Sequence, residues 1–220
     1  MTIPPPGRPA SKGRTPLETP PETMSDDPDS PSSPDTPRIS IAVTVLTPAW
    51  RDSLPEVEPL ARRVARAALT AVEAAAVDAA PAREAEVSLV LADDATLGRL
   101  NRQYRGIEGP TNVLSFAVSE GAPCESSPSE GSSSEGSAPE SNGPLLLGDV
   151  VLAYETVRRE AAEQGKRFCD HLCHLVVHGV LHLLGHEHGS EAQAAAMERL
   201  EIAALAGLGV SDPYVLAVPS

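Results

Sequence analysis

His178-Gly-Val-Leu-His182-Leu-Leu-Gly185-His-Glu-His188 is the stretch on which the reading of this chain turns. Residues four apart on an α-helix stand one above the other on the same face, so the ring nitrogens of His178 and His182 can be aimed at one atom. Gly185 then stops the helix. A glycine there adopts the left-handed conformation that ends helices, and the chain turns back to deliver His188 from outside. Three protein ligands leave one tetrahedral position open, which separates catalytic zinc from closed structural zinc. The spacing therefore predicts one metal ion on His178, His182 and His188, with a fourth position open as in catalytic zinc sites.

A single histidine on such a helix is usually a packed core or cleft residue, and His171, His174, His178 and His182 all fall near one stripe. The triple with its glycine break reads differently, because apolar helices rarely carry several uncharged imidazoles in register with nothing to satisfy them. Leu172, Leu175, Val176, Val177, Val180, Leu181, Leu183 and Leu184 surround the histidines, as in a buried helix with one functional stripe.

Composition along the 220 residues is uneven. Residues 1–37 hold clusters such as Pro4-Pro5-Pro6 and Pro31-Ser-Ser-Pro34 with almost no apolar periodicity, and read as a disordered tail. The tail has no apolar core of the kind a secretory signal needs. Residues 119–144 repeat Ser, Glu, Gly and Pro without a hydrophobic pattern, and read as an acidic low-complexity insertion. What is left, within 38–220, is expected to be one domain.

The chain carries a net charge of −14; the tail holds three basic and six acidic residues and the insertion five acidic and no basic ones, leaving about −6 on the rest. That argues against a protein that coats DNA or RNA by bulk charge, although a local basic patch is compatible with it. Three cysteines fit a reducing cytosol better than a disulfide framework. Cys169 and Cys173 sit four apart on the histidine helix and read as small core residues. No apolar run approaches the roughly 20 residues needed to span a bilayer. A soluble, cytoplasmic protein is expected.

Periodicity predicts mixed elements. Ile39, Ile41, Val43 and Val45 alternate with polar or small residues as a first strand; residues 56–77 read as a helix with Arg62, Arg63 and Arg66 off the apolar stripe. Glu86–Leu91 is a second strand, and Asp93-Asp94 cap a helix running through Tyr104 and ended by Gly106. Thr111–Val118 and Leu145–Ala153 are two further strands joined by the insertion, and helices cover about 154–165, 168–184 and 190–206. Four strands with packed helices make an α+β (α/β layered) fold with a small mixed sheet, one helix carrying the histidines.

The second informative stretch is Leu100-Asn-Arg-Gln-Tyr-Arg105-Gly-Ile-Glu-Gly-Pro110-Thr-Asn-Val-Leu-Ser-Phe116. Leu97, Leu100 and Tyr104 are expected to face a core. Arg105 sits at a helix C-terminus, where a cation is favoured by the helix dipole. Its planar fork also suits a phosphate.

With Asn101-Arg-Gln-Tyr-Arg105-Gly, Pro110-Thr-Asn-Val-Leu-Ser-Phe116, Leu147-Gly-Asp-Val-Val151, the His178–His188 motif and Met197-Glu198 in this order, the chain resembles the YbeY family of bacterial rRNA maturation factors, regarded as metal-dependent endoribonucleases. The resemblance spans about residues 39–205. It implies zinc on His178, His182 and His188, an arginine implicated in activity at Arg105, and an α-β-α architecture. It further implies single-stranded RNA as substrate, a role in maturing the 16S rRNA 3′ end and in ribosome biogenesis and quality control, and ribosomal proteins or a ribosomal subunit as partners. Departures are His186-Glu187 where the family often has Tyr-Asp, Ala117 for a common proline, and the long acidic insertion. His186 competes with His188 as a ligand; His188 is preferred.

In the mechanism this suggests, the attacking group is either a zinc-activated water or the RNA's own 2′-hydroxyl, and Arg105 stabilises charge on the phosphoryl oxygens. His174 either lines the same cleft or packs. Two rivals stand beside this reading. The histidine spacing is also that of metzincin peptidases, but these place a glutamate directly after the first histidine, where this chain has Gly179. The other is a non-catalytic assembly factor in which zinc only holds the fold.

Overall fold

The computed structural model describes residues 39–75, 84–118 and 145–215; the Pro-rich tail and the acidic insertion lie outside the described residues. In chain order the elements are β1 (Ile39–Val45), α1 (Ala49–Ser53), α2 (Val57–Ala75), β2 (Ala85–Ala92), α3 (Asp94–Arg105), β3 (Val113–Ala117), β4 (Leu145–Ala153), α4 (Tyr154–Glu163), α5 (Phe168–Leu183) and α6 (Glu191–Ala206). The strands form one sheet in the order β1-β2-β4-β3, in which β1, β2 and β4 run parallel and β3 pairs antiparallel with β4. This is the four-stranded mixed sheet of an α+β layer fold.

The strand period of two sends alternate residues to opposite faces. Val87, Leu89 and Leu91 of β2 and Val150 and Leu152 of β4 enter the larger core, together with α2, α5 and α6. Ala92, Val151 and Ala153 face the other way and meet Leu97 of α3 and Leu114 of β3 in a smaller cluster. Both faces of β4 are thus covered, and Val150-Val151-Leu152-Ala153 reads as a continuous apolar run rather than an alternation. The edge strand β1 keeps the expected alternation, with Ser40, Ala42 and Thr44 exposed.

Helix α5 lies at the centre, with Leu172, Val176, Val177, Val180 and Leu181 buried. It packs tightly on the sheet at Gly179, where a β-carbon would stand 2.5 Å from Val150 Cγ1. The Ser115 hydroxyl of β3 donates to the Gly179 carbonyl at 3.1 Å. The depth of the histidine helix above the sheet is therefore set by a residue with no side chain.

Three features differ from the sequence reading. Helix α1 was not expected, since five residues are too few to show a helical period. Its Trp50 is fully buried, donates its indole N–H to Ala92 O at 2.9 Å, and packs against Tyr154 and Phe168. Strand β3 begins at Val113 rather than Thr111 because the Asn112 side-chain oxygen accepts the Val113 N–H at 2.7 Å, closing a local turn. Tyr104, expected in the core, is 62% exposed and sets its ring edge against Phe116. Asn101 is buried in its stead and donates to Gly109 O at 2.9 Å, which ties the loop after α3 back onto the helix.

Candidate metal centre

Helix α5 aligns His171, His174, His178 and His182 and ends at Leu183, with Leu184 as its C-cap. Gly185 follows with φ 82°, and the His186 N–H bonds back to Leu181 O at 3.0 Å. This left-handed turn reverses the chain and brings His188 over the end of the helix. One ring nitrogen each from His178, His182 and His188 lies within 4.8 Å of the others. His186 does not join them; its side chain leaves the cluster to His188.

The donor set fits a tetrahedral ion. The Nε2 atoms of His178 and His182 face each other at 3.2 Å, close to the ~3.3 Å edge of a tetrahedron built on zinc–nitrogen bonds of about 2.0–2.1 Å. Three imidazoles are also the nitrogen donors that zinc favours. His178 and His182 are half-buried and His188 is exposed, so the cluster opens to solvent on one side. Burial, and after it the neighbouring His178, holds the His182 imidazole below its ordinary pKa, with Glu187 partly opposing them. A lowered pKa favours the neutral ring, whose lone pair a metal needs.

Behind the cluster stands Glu201 of α6, fully buried. Its Oε1 is 2.8 Å from His178 Nδ1 and its Oε2 3.0 Å from His174 Nε2, and the Tyr214 hydroxyl donates to Oε2. Burial alone would raise this carboxyl, but the hydrogen bonds from His174, His178 and Tyr214 outweigh it and hold the pKa at about 2. The Tyr214 phenol is pushed up by burial and by its bond to Glu201. His174 is thus engaged with Glu201. His171 is buried and pairs with Glu160 at 3.0 Å, and Glu160 also accepts from Asn112 at 2.9 Å.

Arg105 ends α3 with its side chain exposed, and among the described residues it makes no side-chain hydrogen bond or ion pair. Its neighbour Arg102 pairs with Glu108 at 3.1 Å. A path of packing links this helix end to the metal centre: Tyr104 rests on Phe116, and the adjacent Ser115 bonds the carbonyl that follows His178. Cys169 and Cys173 are free thiols and belong to neither metal-binding grouping among the described residues. Cys173 is buried, which pushes its thiol up to about 12.

A family model described as Endoribonuclease YbeY matches residues 54–209. The chain belongs to the YbeY endoribonuclease family. An Endoribonuclease YbeY of Paramagnetospirillum magneticum is 48% identical over 178 residues, covering 80% of this chain and 96% of its own. That of Rhodospirillum rubrum is 42% identical over 176 residues, covering 80% and 82%. A solution structure of a Thermotoga maritima protein shares 19% identity at a TM-score of 0.42, over 80% of this chain and 99% of its own.

In this chain, sequence reasoning missed Glu201 and Tyr214. A signal for Glu201 was present: it occupies the same α6 face as Met197, Ala204 and Leu205, all buried, and an acid on an apolar stripe needs partners. Tyr214 carried no such signal, because it lies past the last helix, outside any period.

Proposed function

We propose that this chain is a zinc-dependent endoribonuclease that cuts single-stranded RNA during rRNA processing, including maturation of the 16S rRNA 3′ end, in ribosome biogenesis and quality control. Its relatives bear the name Endoribonuclease YbeY. The observation that carries the reading is the convergence of His178, His182 and His188 on one another, with His188 open to solvent. These three would hold the ion, which when bound supplies Lewis acidity toward a phosphoryl oxygen and a water acidified to about pKa 7. Burial, and after it the neighbouring His178, lowers the His182 pKa and so favours the neutral ring a ligand must be. Arg105, exposed at its helix end, is free to meet a phosphate, where its guanidinium neutralises charge growing on the phosphoryl oxygens. Either water or the RNA 2′-hydroxyl is the nucleophile. A single strand suits such a site better than a stiff A-form duplex, because its backbone can be splayed.

Within this proposal the catalytic domain spans 38–220, the protein works in the cytoplasm, and its partners are ribosomal proteins or a ribosomal subunit. No described helix is long and apolar enough to cross a membrane. A peptidase reading is disfavoured by Gly179: the position that would carry the general base is wedged against Val150 and Ser115.

Elemental analysis of purified protein, paired with cleavage of a single-stranded RNA oligonucleotide, tests the assignment. His182→Ala is expected to lose zinc and cleavage while circular dichroism shows a folded domain. Arg105→Ala is expected to keep zinc and lose about 100-fold or more in rate, the scale of removing one transition-state charge donor. Cleavage by His182→Ala at the unmodified rate would falsify the metal role. A domain that unfolds on chelation would instead favour zinc as a purely structural ion.

A further inference from the structure

Two groupings able to hold a cation share His178: one with His182 and His188, the other with His174 and Glu201. They use opposite sides of one ring. His178 Nε2 faces His182 Nε2 at 3.2 Å, whereas His178 Nδ1 faces Glu201 Oε1 at 2.8 Å. A neutral imidazole has one N–H and one lone pair, and an ionised carboxylate accepts but cannot donate. The proton of His178 therefore belongs on Nδ1 and the lone pair on Nε2. By the same reasoning His174 carries its proton on Nε2, which reaches Glu201 Oε2 at 3.0 Å. With both oxygens taken by N–H donors and Tyr214 adding a third bond, the Glu201 side of the ring is a hydrogen-bonded buttress, not a second cation site.

We infer that Glu201 is a positioning residue for the metal centre, pinning His178 in the Nδ1–H tautomer and the ring orientation that present Nε2 to the ion, with Tyr214 fixing the carboxylate in turn. The inference rests on the proposed assignment of His178, His182 and His188 as ligands. Its physical basis is the outer-shell carboxylate: an acceptor on the far nitrogen sets the tautomer, orients the ring and raises its basicity as a ligand. Glu201 is suited to that task because it is fully buried and held on two sides. Its α6 backbone supplies one constraint, and Tyr214, from the segment after α6, supplies the other. The carboxylate can neither swing away nor be replaced by solvent.

Long-range proton–nitrogen NMR on the metal-free full-length protein reads the tautomer directly, with His178 assigned by the signals lost in His178→Gln. A proton on Nδ1 is the expected result; a proton on Nε2 overturns the inference. Zinc affinity by chelator competition gives the second readout. Glu201→Gln, which keeps the shape but places a donor or an uncharged acceptor opposite Nδ1, is expected to weaken zinc binding about 10–100-fold. Tyr214→Phe, which leaves every histidine contact in place, is expected to weaken it severalfold with the melting curve otherwise retained. Unchanged affinity in a folded Glu201→Gln protein overturns the inference. Should that variant not fold, Tyr214→Phe and the NMR measurement decide. An unmodified protein that binds no zinc refutes the ligand assignment, while the Glu201–His178 tautomer is still judged by the metal-free spectrum.

Discussion

A methyl group on Gly179 would have to displace Val150, whose side chain is fully buried, from a starting separation of 2.5 Å. Overpacking of this kind costs about 1–3 kcal/mol. Gly179→Ala should therefore lower the denaturant midpoint by that amount with an unchanged slope, and, because His178 and His182 flank the wedge, should also weaken metal binding. At this scale the sequence was legible where spacing alone decides geometry: the four-residue step from His178 to His182 and the glycine turn to His188 both appear in the structure as read. It was illegible where a role depends on long-range packing. Tyr104 has core-like chemistry but sits exposed at a helix end, and no local pattern separates it from the buried Asn101.

Helix α6 illustrates how an element can serve the site without supplying one of the three histidines. Its first turn is closed by a capping box, with Ser190 accepting from the Gln193 N–H and the Gln193 side chain bonding the Ser190 N–H. Ser190→Ala should cost about 1 kcal/mol of stability, measured by chemical denaturation. Because α6 carries Glu201, the cost should also appear as a modest loss of zinc affinity. Helix positions were legible in the sequence, since apolar stripes and caps are local signals; α2, α3, α5 and α6 all begin and end within a few residues of expectation. Helix α1 was not, and neither was the irregularity between β2 and β4, where Glu86 pairs with Leu146 and Val87 with Gly148, leaving Leu147 extra. Gly148 takes φ 132° there, and a β-carbon would strike Phe116 O. Such a bulge answers to the strand alongside, which the sequence does not display.

Across the whole molecule, β3 and β4 lie side by side where the acidic segment leaves and rejoins, with the Val118 N–H bonding Leu147 O at 3.0 Å. Replacing 119–144 with a short Gly/Ser turn should therefore keep the fold. Loop entropy changes by only about 0.6 kcal/mol for each doubling of length, so the melting temperature should shift by no more than a few degrees. Stability should also depend on pH through His171. Burial holds this ring below its ordinary value of 6.5, against the partial pull of Glu160, so the unfolded chain takes up a proton before the folded one does. The unfolded state then binds more protons, and stability falls as pH drops below about 6.5. Thermal melts of metal-free protein at pH 7.5 and 5.5 should show the lower value at 5.5. The four-stranded layer was legible from strand and helix periods; the order β1-β2-β4-β3 was not, because pairing is decided between distant segments.

The contact between Gly179 and Val150 also bears on how readily this site could change its chemistry over evolutionary time. A glutamate at 179, the first step toward the peptidase arrangement, would be selected against as a folding defect before it could offer any new activity. Making room for it means shrinking Val150, and that in turn opens a hole beneath the histidine helix. Two individually harmful substitutions would have to arrive together. Nuclease and peptidase sites built on the same histidine spacing are thus separated by a valley in fitness whose floor is the packing of one helix on one strand.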